Sequence, residues 1–199
     1  MLAMNLDILP IGLYQENSYI LHDNGHVLFI DPGRYAKEIM NHIKKDEIID
    51  GIVLTHGHED HTGAVDDLAE AYQCPVYLHS ADLDLVDPKQ IGRGFDGPIY
   101  AKIDPLERID QIGMFHIKVY HTPGHTAGSC CIQYRRLLFT GDTLFAGDIG
   151  RTDLYSGNEQ EMLDSLKMLK GLSNDLQIYP GHGPASSMHE EKMCNPYLQ

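Results

Sequence analysis

No apolar run in this 199-residue sequence is long enough to cross a bilayer, which predicts no membrane span. The opening segment, MLAMNLDILPIG, has neither a basic start nor the apolar core of a signal peptide, so no export is expected. Cysteine is scarce. Cys74, Cys130, Cys131 and Cys194 form no C-x-x-C pair of the metal-binding kind and lack the density of a disulfide framework. Free thiols in a reducing cytoplasm are the expectation. Cys130 and Cys131 adjoin within an expected strand, so their side chains should point to opposite faces. Basic residues are outnumbered 15 to 29, leaving a net charge of −14, which argues against unspecific nucleic-acid binding. Bound cations would offset part of that negative charge if carboxylates serve as ligands. What the sequence has in excess is histidine, 12 in all.

The composition, 42% hydrophobic and 22% charged, suits one globular domain over residues 1–199. Strands are expected at Asn5–Leu9, Ser18–His22 and Val27–Ile30, the last two joined by an Asp23-Asn24-Gly25 turn. Ala36, Ile39, Met40 and Ile43 fall on one helix face. A buried strand at Ile52–Leu54 precedes a helix that opens at Thr62 as N-cap and buries Val65, Leu68, Ala69 and Tyr72. A strand follows at Val76–Leu78. The proline- and glycine-rich stretch 84–110 reads as a long surface loop suited to substrate contacts, including those around Phe95. Further strands are expected at Met114–Tyr120, Cys130–Tyr134, Leu137–Thr140 and Gln177–Tyr179. Asn158 and Glu161 form a capping box for a helix with Met162, Leu166 and Leu169 inward. Residues 184–199 show no helical periodicity. Strands followed by helices in two halves predict an α/β (α+β) fold in which two sheets pack face to face with helices outside, a four-layer αββα sandwich.

The chemistry concentrates in Thr55-His56-Gly57-His58-Glu59-Asp60-His61, an H-x-H-x-D-H sequence directly after a buried strand. Three imidazoles and a carboxylate in six residues suit a borderline metal such as zinc. One tight loop cannot easily bring all four to one ion, so division between two ions is sterically simpler. Three more segments share the form of apolar strand, turn and metal-competent residue: they end in His125, Asp142 and His182. Any one of these alone would be read as a surface or satisfied core residue. Together with the first motif, they predict a metal site.

The segments THGHEDHTG (55–63), HTPGHTAGS (121–129), FTGDTLFAGDIGRTDL (139–154) and PGHG (180–183), with DPG at 31–33, resemble the metallo-β-lactamase superfamily. Within it they are most similar to the glyoxalase II (hydroxyacylglutathione hydrolase) branch. The resemblance implies the αββα fold with its active site at one edge of the sheets. It implies one metal on His56, His58 and His125, a second on Asp60, His61 and His182, and Asp142 bridging them. The ions implied are divalent, zinc first, with iron or manganese as alternatives. The activity implied is hydrolysis of hydroxyacylglutathione or a related small-molecule thioester by a metal-bridging hydroxide, with Asp60 and Asp142 in catalytic roles. Arg151 matches the position of a cationic residue that contacts glutathione, and its fork geometry suits a substrate carboxylate. Asp31 is placed as a residue that orients a ligand histidine. The branch ordinarily carries a C-terminal helical domain, which leaves this sequence resembling a short, single-domain subgroup.

The same motif occurs in a persulfide dioxygenase with a single iron, for which His56, His58, His125 and Asp142 would suffice. Lactone and ester hydrolases of this fold are further alternatives. Neither a nucleic-acid nor a membrane partner is expected, and the sequence leaves the oligomeric state open.

Overall fold

The computed structural model describes residues 4–90 and 97–199. Strands β1 (Asn5–Ile11), β2 (Glu16–Asp23), β3 (His26–Ile30), β4 (Ile48–Val53), β5 (Val76–Leu78) and β6 (Ile103–Pro105) form one sheet in that order. The first three pair antiparallel, whereas β3, β4, β5 and β6 run parallel. Between the sheets in sequence lies a small hairpin, β7 (Gln111–Ile112) with β8 (Phe115–His116). The second sheet contains β9 (Lys118–His121), β10 (Cys130–Tyr134), β11 (Leu137–Gly141), β14 (Gln177–Pro180) and β15 (Ser186–Ser187), in the order β15-β14-β11-β10-β9. A ribbon of β12 (Leu144–Phe145) and β13 (Asp148–Ile149) follows β11.

Successive side chains of a strand face opposite ways, and this parity sorts the apolar residues into three layers. Tyr19, Leu21, Leu28 and Ile30 of the first sheet meet Cys130, Ile132, Tyr134, Leu137 and Phe139 of the second in the central layer. Their neighbours Ile20, Val27 and Phe29 point outward beneath helices α1 (Ala36–Met40) and α3 (Val65–Tyr72), against Ile39, Val65 and Leu68. On the far side, Cys131, Leu138 and Ile178 pack under α5 (Glu159–Lys170) and α6 (Met188–Cys194), against Met162, Leu166, Leu169 and Met188. Helix, sheet, sheet, helix is the expected αββα order. The adjacent thiols of Cys130 and Cys131 belong to different layers, as their parity requires.

Four local expectations change. The helix expected to start at Thr62 is two pieces: α2 (Glu59–Thr62) ends with Thr62, and α3 begins after Ala64 with no side-chain cap. The break is imposed from outside, because Gly63 lies so close to Gly33 that a Cβ there would stand 2.4 Å from the Gly33 carbonyl oxygen. The stretch 84–110 is not simply a surface loop. It contributes α4 (Leu83–Val86) and edge strand β6, and Leu85, Val86, Ile99 and Leu106 are buried. Residues 91–96, with Phe95, lie outside the described residues. The strand expected at Met114–Tyr120 is divided into β8 and β9. Residues 184–199 do form a helix, α6, capped by Ser187 Oγ, which accepts the Glu190 N–H at 3.2 Å. Met188 and Leu198 anchor this tail, too few inward residues for a periodic signal.

At the centre of the middle layer, the Phe139 ring lies 5.1 Å from that of Tyr19 and 5.6 Å from that of Tyr179. Truncating it opens a cavity that two sheets cannot close without sliding. Phe139→Ala should therefore destabilise the protein by about 3–5 kcal/mol, measured by equilibrium urea denaturation.

Candidate metal centre

The parallel strands deliver their carboxyl ends to one rim, where open α/β sheets ordinarily hold ligands. The end of β4 leads into Thr55 and His56, with His58, Asp60 and His61 following on the turn and on α2. The end of β11 leads to Asp142, and the end of β14 to His182. His125 comes from the loop joining β9 to β10. All seven residues singled out in the sequence meet around one opening.

They meet in two groups. His56 Nε2 lies 3.1 Å from His58 Nδ1, which lies 2.9 Å from His125 Nε2. Asp60, His61 and His182 form a second set of converging ligand atoms, with His182 Nε2 at 3.4 Å from Asp60 Oδ2. Asp142 reaches both. Its Oδ2 is 3.4 Å from His125 Nε2 and 3.6 Å from His182 Nε2, and its Oδ1 is 3.4 Å from His61 Nε2. His56, His61 and His125 are buried, whereas Asp60 and His182 stay a quarter exposed at the opening.

Close approach is built into the backbone here. A Cβ on Gly181 would stand 2.2 Å from Asp142 Oδ1 and 2.6 Å from His61 Cε1. The Pro180–Gly183 turn is held in place by Asn17, whose side-chain amide donates to the carbonyls of Pro180 at 3.0 Å and Gly183 at 2.9 Å.

The far nitrogens of four imidazoles are occupied. His61 Nδ1 lies 3.0 Å from Asp31 Oδ2, and His125 Nδ1 lies 2.7 Å from the Arg151 carbonyl. His182 Nδ1 is 3.1 Å from the Tyr14 carbonyl, and His56 Nδ1 is 3.1 Å from Thr55 Oγ1. Protons placed on these nitrogens leave the Nε2 lone pairs facing one another across the opening. Asp31 thus stands behind His61. It also accepts the Thr55 N–H at 2.7 Å and the Thr55 hydroxyl at 2.6 Å, and holds a left-handed φ of 48°.

Arg151 lines the cavity, with its guanidinium forked onto Asp153 through Nε–Oδ1 at 2.6 Å and Nη2–Oδ2 at 2.8 Å. Nothing in the sequence marked its carbonyl as the partner of His125. Nor did anything mark Glu16, a buried carboxylate on β2 with Oε1 at 3.8 Å from His61 Nδ1. The only available signal was an acid at the start of a strand whose buried middle, Tyr19–Leu21, is apolar.

The electrostatics divide the site. Burial and the neighbouring imidazoles, His125 foremost, push His58 down to about 4. Burial and the same neighbourhood hold His56 well below its ordinary value. At His61 burial also works downward, yet the carboxylates of Asp142 and Asp31 outweigh it and raise the group well above its usual range.

The donor set fits divalent cations. Tetrahedral ligation with Zn–N near 2.0 Å spaces ligand nitrogens by about 3.3 Å, close to the first group's separations. In the second group, His61 Nε2 and Asp142 Oδ1 are buried and have no hydrogen-bond partner. A cation between them would satisfy both.

The sequence profile described as "Metallo-beta-lactamase superfamily" matches residues 11–182. "Probable metallo-hydrolase YqgX" of Bacillus subtilis (strain 168) is 35% identical over 201 residues, covering 96% of this chain and 95% of that protein. "Hydroxyacylglutathione hydrolase GloC" of Haemophilus influenzae (strain ATCC 51907 / DSM 11121 / KW20 / Rd) is 33% identical over 209 residues, 98% of either chain. Among solved structures, the BLEG-1 B3 metallo-beta-lactamase superposes with a TM-score of 0.88 at 33% identity, covering 98% of this chain and 100% of that one. TTHA1623 in a di-iron-bound form gives 0.85 at 33%, covering 96% and 100%.

Ions held only by the folded chain stabilise it by mass action. Stripping divalent ions with a chelator should lower the thermal midpoint by several degrees, and adding zinc back should restore it. An unchanged midpoint in differential scanning calorimetry would contradict the fit.

Proposed function

Because the chain belongs to the metallo-beta-lactamase superfamily, we propose that it is a metal-dependent hydrolase of the glyoxalase-II-like kind, one catalytic domain that cleaves hydroxyacylglutathione or a related thioester. The observation that carries this reading is the pair of ligand groups with Asp142 between them at one cavity mouth. Support for the thioester comes from the relative named hydroxyacylglutathione hydrolase, matched over 98% of its own length.

In this reading His56, His58 and His125 hold one divalent ion, Asp60, His61 and His182 the other, and Asp142 both, with zinc the first choice. When bound, such ions lower the pKa of water and polarise a carbonyl. The protein supplies the rest. Asp60 is kept ionised: burial works against this, but His182 and His61 hold its carboxyl well below the ordinary carboxylate range. An ionised carboxylate at the mouth accepts a hydrogen bond from the attacking water and fixes its direction. The cavity, about 750 Å³, is walled by Tyr14, Leu85, Phe145 and Leu154 beside the ligand groups. Those walls hold an acyl group and thin out the water around it.

Arg151 receives a carboxylate of the thiol portion. Its ion pair with Asp153 is exposed on both sides, so an incoming carboxylate exchanges for Asp153 at little cost. The free cysteines suit a reducing cytoplasmic setting, and no described helix is long and apolar enough to cross a membrane.

A second reading is a single-iron oxidoreductase acting on a persulfide; a structural relative in a di-iron-bound form brings iron in beside zinc, without favouring one ion over two. Ligand chemistry alone does not choose between the metals.

Zinc-loaded protein should hydrolyse S-D-lactoylglutathione with saturation, and His56→Ala and Asp142→Ala should each lower kcat/KM by at least about 100-fold. No turnover by metal-bearing protein, with oxygen uptake by iron-loaded protein on glutathione persulfide, would replace the first reading by the second. Arg151→Ala should raise KM for lactoylglutathione about tenfold with little change in kcat, because the lost contact is equal in ground and transition states. The carbonyl that holds His125 survives that substitution.

A further inference from the structure

Asp82 follows the end of β5 and immediately precedes α4, a position from which aspartate ordinarily caps a helix. It does not cap α4. Its side chain turns instead toward the back of the metal centre, with no exposed surface.

Both carboxylate oxygens are used there, and on two different loops. Oδ2 accepts the backbone N–H of Gly57 at 3.0 Å and the hydroxyl of Thr126 at 2.7 Å. Oδ1 accepts the backbone N–H of Gly128 at 2.6 Å. Gly57 lies between His56 and His58, and Thr126 directly follows His125. One carboxylate therefore joins the loop that carries two of the first group's imidazoles to the loop that carries the third. The chain makes room for this contact, since a Cβ on Gly128 would stand 2.6 Å from Asp82 Cγ.

A second tie runs between the same two segments, from the Cys130 N–H to the Thr55 carbonyl at 2.7 Å. That bond fixes the bases of the loops. Asp82 fixes their tips, where the imidazoles are carried. Bonds from N–H and O–H donors to a buried carboxylate are charge-assisted and stiff. None of the three reaches Asp60, His61 or His182.

We propose that Asp82 is the positioning residue of the first metal group, setting the separation between the His56–His58 turn and His125 and so the affinity of that one ion. The inference rests on the reading of His56, His58 and His125 as ligands. A group behind the ligands that orients them ordinarily affects metal affinity by about 10- to 100-fold.

The test uses cobalt(II) as a coloured probe on the full chain, titrated with absorption spectra and metal analysis. His58→Ala and His182→Ala assign the visible bands to the first and second ions. Asp82→Asn keeps the shape but removes the charge and one acceptor. It should weaken the His58-dependent ion about 10- to 100-fold and shift its bands, while the His182-dependent ion binds as in the wild type. Thr126→Ser, which keeps the hydroxyl, should bind both ions normally. If circular dichroism shows that Asp82→Asn does not fold, Thr126→Val takes its place, with a smaller loss confined to the same ion. Equal weakening of both ions, or no change at either, overturns the proposal, because a merely structural role would not single out one ion. A wild type that binds no His58-dependent cobalt overturns the ligand reading and this inference with it.

Discussion

Four imidazoles of the centre are gripped from behind, and the front of the site exists only because of that grip. A free imidazole can place its proton on either nitrogen and rotate. Here Thr55, Asp31, the Arg151 carbonyl and the Tyr14 carbonyl each take one nitrogen. The acceptors come from the ends of β3 and β4, the segment after β13 and the turn between β1 and β2. Both sheets must therefore be folded and docked before the lone pairs converge. The αββα order serves the site by bringing these distant acceptors behind it.

Much of this was legible in the sequence, and the reason is local. H-x-H-x-D-H places its residues within one turn, and Asp142 and His182 each follow an apolar strand at a glycine. Strand parity was equally readable: Cys130 and Cys131 part to different layers because a period of two allows nothing else. The unread features depend on contacts across the chain. The helix break at Gly63 comes from Gly33, thirty residues earlier, and no local propensity marks it. Leu85, Val86 and Ile99 looked like loop residues because glycine and proline surround them, yet they are buried by partners that sequence spacing does not identify. A backbone carbonyl, such as that of Arg151, has no sequence signature at all. Glu16 offered only an acid ahead of the apolar run Tyr19–Leu21.

Arg151 shows why a side chain and its backbone need separate accounts. Arg151 lines the cavity and its guanidinium pairs with Asp153, whereas its carbonyl holds His125. In the proposed function, specificity and metal geometry thus share one residue but use different atoms. Variation of the side chain can alter which substrate fits without disturbing the imidazole behind it. The surrounding walls, Tyr14, Leu85, Phe145 and Leu154, have the same freedom, since none supplies a ligand atom through its side chain.

The parting of Cys130 and Cys131 carries a last consequence. A disulfide needs Cβ atoms about 3.5–4.5 Å apart and turned toward each other, which neighbours on opposite faces of a flat strand cannot offer. Burial, moreover, pushes the Cys131 thiol up to about 12 and the Cys130 thiol higher still, so neither is a thiolate at neutral pH. Two sulfurs adjacent in sequence are thereby kept from pairing with each other and held as thiols, the weakly nucleophilic form. For a protein proposed to release thiols from their esters, its own interior is closed to the chemistry of its product.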